Sequence, residues 1–203
     1  MKNITAQIEN IMNENEGKIF AIKDFYDLGS PNTIKSILRR LVEKNKIIRL
    51  INGLYTKPYY SERFQEYGYP TSYEVAIKLA EKSSWKIAPT SVMALNDTGL
   101  STQVPVVLLF ASTGPSKTYI YNNIKIIFKH TSNNLLDFES DQLRLLIQAI
   151  KFAIKERFTK KEMNALIYFS QKAKIDFTKE DLTKLPFPIF KIIKEIENQI
   201  KYE

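Results

Sequence analysis

SPNTIKSILRRLVEKNKIIRLINGLYTKP, Ser30–Pro58, places a helix dense in Arg and Lys directly before a short hairpin, and its reading decides the fold. Ser30 is a good helix N-cap, because its hydroxyl can accept from a free backbone N–H, and Pro31 at the first helical position needs no N–H of its own. From there Ile34, Ile37, Leu38, Leu41 and Val42 follow the i, i+3, i+4, i+7, i+8 pattern and define a buried stripe. At about 100° per residue the opposite face carries Asn32, Ser36, Arg39, Arg40 and Glu43, with Thr33 and Lys35 at its margins. After Asn45, IIRLI and LYTK flank Asn52-Gly53, a two-residue hairpin signal in which both turn positions are expected at positive φ.

Upstream, Ile4, Ile8, Ile11 and Met12 fall at helical spacing and predict a first helix ending near Gly17. A short strand is expected around Ile19 to Ala21, then a brief helix from Lys23 to Leu28 stopped by Gly29. Helix, strand, helix, helix, hairpin is the order of a winged helix-turn-helix, over residues 1–60. Small polar residues near the start of the third helix and arginines one to two turns later suit a helix that enters the major groove of duplex DNA. The candidate DNA-binding residues are Asn32, Thr33, Lys35, Ser36, Arg39 and Arg40 on the helix, then Lys46, Arg49, Asn52, Gly53 and Lys57 around the hairpin. The competing readings are a protein-docking module and a merely solvated basic face. Glu43 on the outward face weakens the DNA reading slightly.

Charge is concentrated on the same segment. Residues 28–60 carry seven basic side chains against one acidic, a net of +6, whereas residues 1–27 carry three against five, a net of −2. The whole chain of 203 residues has a formal charge of +8, which favours an anionic partner such as nucleic acid or an acidic protein surface. It has no cysteine, which excludes disulfides, thiolate catalysis and Cys-ligated metal sites and fits a reducing cytosol. No segment reads as a signal peptide, and none reaches the roughly 18 apolar residues of a membrane span. A cytoplasmic protein is expected.

The second half differs in kind. SYEVAIKLAEKS (Ser72–Ser83) is helical, after a loop at Gly68 to Pro70 taken as the domain boundary, and another helix is expected over Ser91 to Asn96. VPVVLLFAS, KTYIYNN and IKIIFKHT read as strands, the last two joined at Asn122-Asn123, and from Ser140 onward the chain is helical. The expected fold class is α+β: an N-terminal winged helix-turn-helix domain, residues 1–60, and a mixed α+β domain, 61–203, with a helical C-terminal extension from about residue 156.

"DFYDLGS", "LVEKNKIIRLINGLYTKP", "GLSTQVP" and "STGPSK" together resemble the AbiEi-like antitoxins of type IV toxin-antitoxin systems, over about residues 4–155. Asp24 to Ser30 and Gly53 to Tyr55 match segments that recur in that family. The resemblance implies a two-domain antitoxin active in abortive infection. Its winged helix binds operator DNA and represses its own operon, and its second domain counteracts a nucleotidyltransferase-like toxin without needing a tight complex. It supplies no catalytic residues.

Enzyme chemistry finds little support in the residues. "STGPSKT" lacks a Gly directly before Lys117, and Ala111 stands where the first P-loop glycine belongs, so a turn on Gly114-Pro115 is the simpler reading. Lys117 with backbone N–H groups near Gly114 remains a candidate site for an anion or a partner carboxylate. Ser101 and Gln103 in "GLSTQVP" belong either to a partner-binding loop or to a helix cap at Gly99. His130 is the only histidine, and Asp137, Glu139 and Asp141 read as helix capping, so no metal or cofactor is expected. Tyr59, Tyr60, Phe64, Tyr67, Tyr69 and Tyr73 are expected to pack between the hairpin and the second domain rather than to stack on bases. Three functions stay open: a DNA-binding antitoxin and autoregulator, a ligand-responsive winged-helix transcriptional regulator, and an interaction module without DNA. A homodimer is compatible with each.

Overall fold

The computed structural model describes residues 3–90, 92–102, 106–131, 135–156 and 158–202. It is mixed α+β, with seven α-helices and three sheets among those residues. The chain divides into two compact units, Met1–Ser84 with Tyr121–Asn123, and Trp85–Ile120 with Ile124–Glu203. The boundary anticipated at residue 60 falls inside the first of these.

In the first unit, α1 (Ile4–Glu14) is capped by Asn3, whose side chain accepts from the N–H groups of Thr5 and Ala6. Gly17, at φ +81°, reverses the chain into β1 (Ile19–Ala21). The brief helix expected at Lys23 to Leu28 is a 3-10 helix, Ile22–Leu28; seven residues between Ala21 and Gly29 leave few i→i+4 bonds to gain, and Asp24 accepts from the Ala21 N–H at 2.9 Å, tightening its start. α2 (Pro31–Glu43) begins as anticipated, with the Thr33 N–H donating to the Ser30 hydroxyl. Its Ile34, Ile37, Leu38 and Leu41 are buried with Ile8, Met12, Phe20, Phe25 and Tyr55. β2 (Ile48–Ile51) and β3 (Leu54–Thr56) follow, and the sheet order is β1-β3-β2, antiparallel throughout.

The hairpin turn departs from expectation in one respect. Only Gly53 has positive φ, +78°, because a register irregularity between Arg49 and Ile51 takes up part of the twist that a mirror-image turn would otherwise supply. The turn at Asn122-Asn123 does have both residues at positive φ, 48° and 61°. Residues 59–68 form a second hairpin of β4 (Tyr59–Ser61) and β5 (Glu66–Gly68). α3 (Ser72–Lys82) starts with a reciprocal cap between Thr71 and Glu74 and packs against β1.

The second unit is built on a four-stranded sheet, order β6-β7-β9-β8, from β6 (Ile87–Pro89), β7 (Val107–Ser112), β8 (Lys117–Tyr121) and β9 (Ile124–His130). β6 is antiparallel to β7, which is parallel to β9. α4 (Val92–Asp97) lies between β6 and β7 in sequence; the anticipated start at Ser91 and residues 104–105 of the anticipated strand lie outside the described residues. α5 (Asp141–Glu156), α6 (Lys160–Lys172) and α7 (Phe187–Tyr202) share one core of Leu143, Leu146, Ile150, Leu166, Ile193 and Ile196. The segment after residue 156 is thus part of the core, not an appended tail, since α5 alone would leave a broad apolar face uncovered.

Candidate nucleic-acid interface

Asn32, Thr33, Lys35, Ser36, Arg39 and Arg40 all lie exposed on the face of α2 opposite its buried stripe. Thr33 shares a hydroxyl contact of 2.9 Å with the capping Ser30, so the cap itself orients it. Arg40 donates only a long bond to the Ser36 carbonyl, 3.4 Å, and Lys35 makes no ion pair among the described residues. Arg39 meets Glu43 at 3.3 Å, one helical turn on, with both side chains largely exposed; such a pair holds its partners weakly.

The other basic residues divide sharply. Lys46 pairs with Glu9 at 3.2 Å. Lys57 pairs with Glu16 at 2.7 Å and donates to the Asn13 side chain at 2.9 Å. The sheet explains the second arrangement: β3 lies beside β1, so the residue after β3 adjoins the turn after α1, where the Gly17 N–H donates to the Lys57 carbonyl at 2.7 Å. Lys57, the less exposed of the two, is thus held between Glu16 and Asn13, whereas Lys46, more than half exposed, pairs with Glu9 as loosely as Arg39 does with Glu43. Arg49 donates to the Asn52 side chain at 2.6 Å and stands at the exposed end of the β2–β3 hairpin. A basic surface centred on Lys35, Arg39, Arg40 and Arg49 remains, with exposed Lys44 beside it.

Sequence reasoning missed Lys82, on α3, whose ammonium donates to the Asn52 carbonyl at 3.0 Å. It also anticipated that the aromatic residues of 59–73 would pack; instead they stay exposed, Phe64 to 67%. The Tyr59 ring lies against Gly17 and over Gly68, Tyr60 and Tyr67 form an edge-to-face pair at 5.2 Å, and the Arg63 guanidinium sits over Phe64.

Of the candidate partner-binding residues, Ser101 is half-buried and its N–H donates to the Leu95 carbonyl, continuing the cap of α4 at Gly99 (φ +79°). Gln103 lies outside the described residues. Gly114 and Lys117 are brought together by Trp85: the indole fills the space of a Gly114 Cβ, and the Lys117 ammonium lies 5.6 Å from the ring centre. The Gly114 N–H donates to the Ser112 hydroxyl at 3.0 Å, so that donor is already spent within the turn and does not face an anion. Asp137 and Glu139 do not cap α5. They pair with Lys86 at 3.1 and 2.8 Å, while the Ser140 hydroxyl accepts from the Leu143 N–H. Among the described residues no three His, Cys, Asp or Glu side chains could hold a metal ion, and no helix is long and apolar enough to cross a membrane.

The class these features define is a two-unit α+β protein with a basic helix face beside an antiparallel hairpin. The chain belongs to DUF6088, a family of unknown function, which matches residues 7–177. No curated protein matches its sequence.

Proposed function

We propose that the first unit is a winged helix-turn-helix in which α2 enters the major groove and the β2–β3 hairpin is the wing, and that the protein is a DNA-binding antitoxin of the type IV class. The observation that carries the DNA reading is the face of α2, where six polar or basic side chains are exposed together and only Glu43 opposes them. Small polar groups at the helix start reach base edges, and the arginines a turn later reach phosphates. Arg49, held at the hairpin end by Asn52, is placed to follow the flanking backbone. The antitoxin part rests on the sequence resemblance: the protein represses its own operon, and its second unit counteracts a nucleotidyltransferase-like toxin.

The test has two arms. Full-length protein is titrated onto duplex DNA from its own promoter, beside a Lys35→Ala/Arg39→Ala/Arg40→Ala variant. Loss of at least tenfold in affinity supports the helix assignment, and unchanged affinity rejects it. The adjacent gene is then expressed with and without the protein; a toxic product relieved by the triple variant as well as by the wild type supports an antitoxin whose protection is separable from DNA binding.

A further inference from the structure

The second unit contains a cavity of about 270 Å³ whose polar lining is Thr90, Lys129, Gln148, Lys151 and Lys155. Leu109 and Phe152 form its apolar wall. Gln148, Lys151 and Lys155 fall at i, i+3 and i+7 on α5, so one helix face brings an amide and two lysines to the lining of the same space. Lys129 reaches it from β9 and Thr90 from the end of β6.

Gln148 is only 3% exposed, and its amide nitrogen has no hydrogen-bond partner among the described residues. A buried donor left unpaired is costly and calls for a ligand or a function. The three lysines make no ion pairs among the described residues, and no residue lining the cavity is acidic. Burial, and then the neighbouring Lys155, push the Lys151 ammonium below its ordinary range. Lys151 is half-buried while Lys129 and Lys155 are exposed at the rim, and among the described residues no carboxylate pairs with any of the three. A half-buried ammonium and a buried unpaired amide beside two further lysines favour an anion in that space.

We propose that this cavity binds a phosphorylated small molecule, with the phosphate held by Lys129, Lys151, Lys155 and the Gln148 amide and the organic part against Leu109 and Phe152. A multiply charged group with several oxygens matches three ammoniums and two neutral donors better than a single carboxylate does. The volume is near the lower end of ligand pockets, roughly 300 Å³, and exceeds what a bare phosphate fills, so an attached organic portion has room. The site is independent of the DNA-binding reading; if both hold, it would supply the ligand class for a regulator that senses a metabolite.

The test is calorimetric titration of the full chain at low salt with inorganic pyrophosphate and with adenosine monophosphate. Saturable binding of at least one of them at one site per chain is expected. It should weaken at least tenfold in Lys151→Gln/Lys155→Gln. Gln148→Leu preserves volume and removes the unpaired amide, so it should raise the melting temperature of the ligand-free protein while weakening binding several-fold. That opposite movement separates a binding role from a structural one. Absence of saturable binding of both probes overturns the proposal. So does affinity unchanged by the double lysine variant, or affinity lost in Lys35→Ala/Arg40→Ala instead, which would locate the anion on the α2 face. Duplex DNA binding measured on the cavity variants is expected to be unchanged; its loss there would make these lysines a phosphate-backbone contact and overturn the small-molecule assignment.

Discussion

The ammonium of Lys82, at the end of α3, donates to the carbonyl of Asn52 at 3.0 Å and stands 2.7 Å from where a Cβ on Gly53 would lie. A helix some thirty residues downstream therefore anchors the turn of the β2–β3 hairpin. Gly53 is constrained twice, by its φ of +78° and by this neighbour. Gly53→Ala should destabilise the hairpin by about 1–2 kcal/mol, mostly from the left-handed backbone, since the flexible Lys82 can retreat. Lys82→Met should have a smaller effect. Hydrogen exchange over residues 48–56 is the measurement; equal protection in Gly53→Ala and wild type would contradict the turn geometry.

The same anchoring predicts where the chain can be divided. Lys78 pairs with Asp24 at 2.9 Å and Lys23 donates to the Glu81 carbonyl at 2.6 Å, so α3 is tied to the segment between β1 and α2. A fragment of residues 1–84 should fold cooperatively, although it lacks the bond from the Tyr121 hydroxyl to the Pro70 carbonyl. A fragment ending at residue 60 loses α3 and should be largely unfolded, as expected of so small a core. Circular dichroism and thermal melting of the two fragments decide the matter. A sharp melt of the shorter one would show that α3 is dispensable.

The basic residues should sort into two groups by their ion pairs. Arg40→Ala and Lys35→Ala should each flatten the salt dependence of DNA binding by about 0.9 units for every phosphate the side chain neutralises, as counterion release requires. Lys57→Ala should leave that slope nearly unchanged and act on stability instead, because its ammonium is held between Glu16 and Asn13. Anisotropy titrations from low to moderate salt distinguish the groups.

Arg144 should carry much of the order at the junction of β6 and α5. It is buried, with hydrogen bonds to the carbonyls of Ile87 (3.3 Å), Phe138 and Glu139 (3.2 Å) and a pair with Asp141. Arg144→Leu fills the volume but strands those acceptors, and should cost about 3 kcal/mol. Urea unfolding followed by Trp85 fluorescence reads this change in the second unit.

The cluster of Lys86 with Asp137 and Glu139 gives a pH signature. Hydrogen bonding and charge from Lys86 hold both carboxyl groups below their ordinary values of 3.8 and 4.5. Groups whose folded pKa is depressed stabilise the protein above the unfolded pKa, and that contribution is lost as pH falls through the folded value. Lys86→Gln should therefore be less stable than wild type at pH 7, and the two should converge as pH falls through the depressed folded values of Asp137 and Glu139. At the alkaline end Lys86, raised above 10.5, loses its contribution as pH rises through its folded value. A difference between the two proteins that stays constant from pH 7 down through the range where the carboxyls protonate would assign the effect of Lys86 to packing.

What the sequence alone determined lies within short spans of chain. The Ser30-Pro31 start, the stripe from Ile34 to Val42, the place of the Asn52-Gly53 turn, the Asn122-Asn123 turn with its two positive φ angles and the order helix, strand, helix, helix, hairpin were legible, because capping, periodicity and turn chemistry act between residues a few positions apart. The exposed set Asn32 to Arg40 followed from the stripe by geometry. What the sequence left open depended on which elements meet. Lys57 reaches Glu16 only because β3 lies beside β1, and Lys82 reaches Asn52 only because α3 packs on that sheet. The polar positions 148, 151 and 155 interrupt an apolar helix visibly enough, yet nothing local distinguishes a solvated stripe from one turned into a cavity. Ion pairs, anchors and pockets are set by distances across space between residues remote in the chain, and those distances exist only once the helices and sheets have packed.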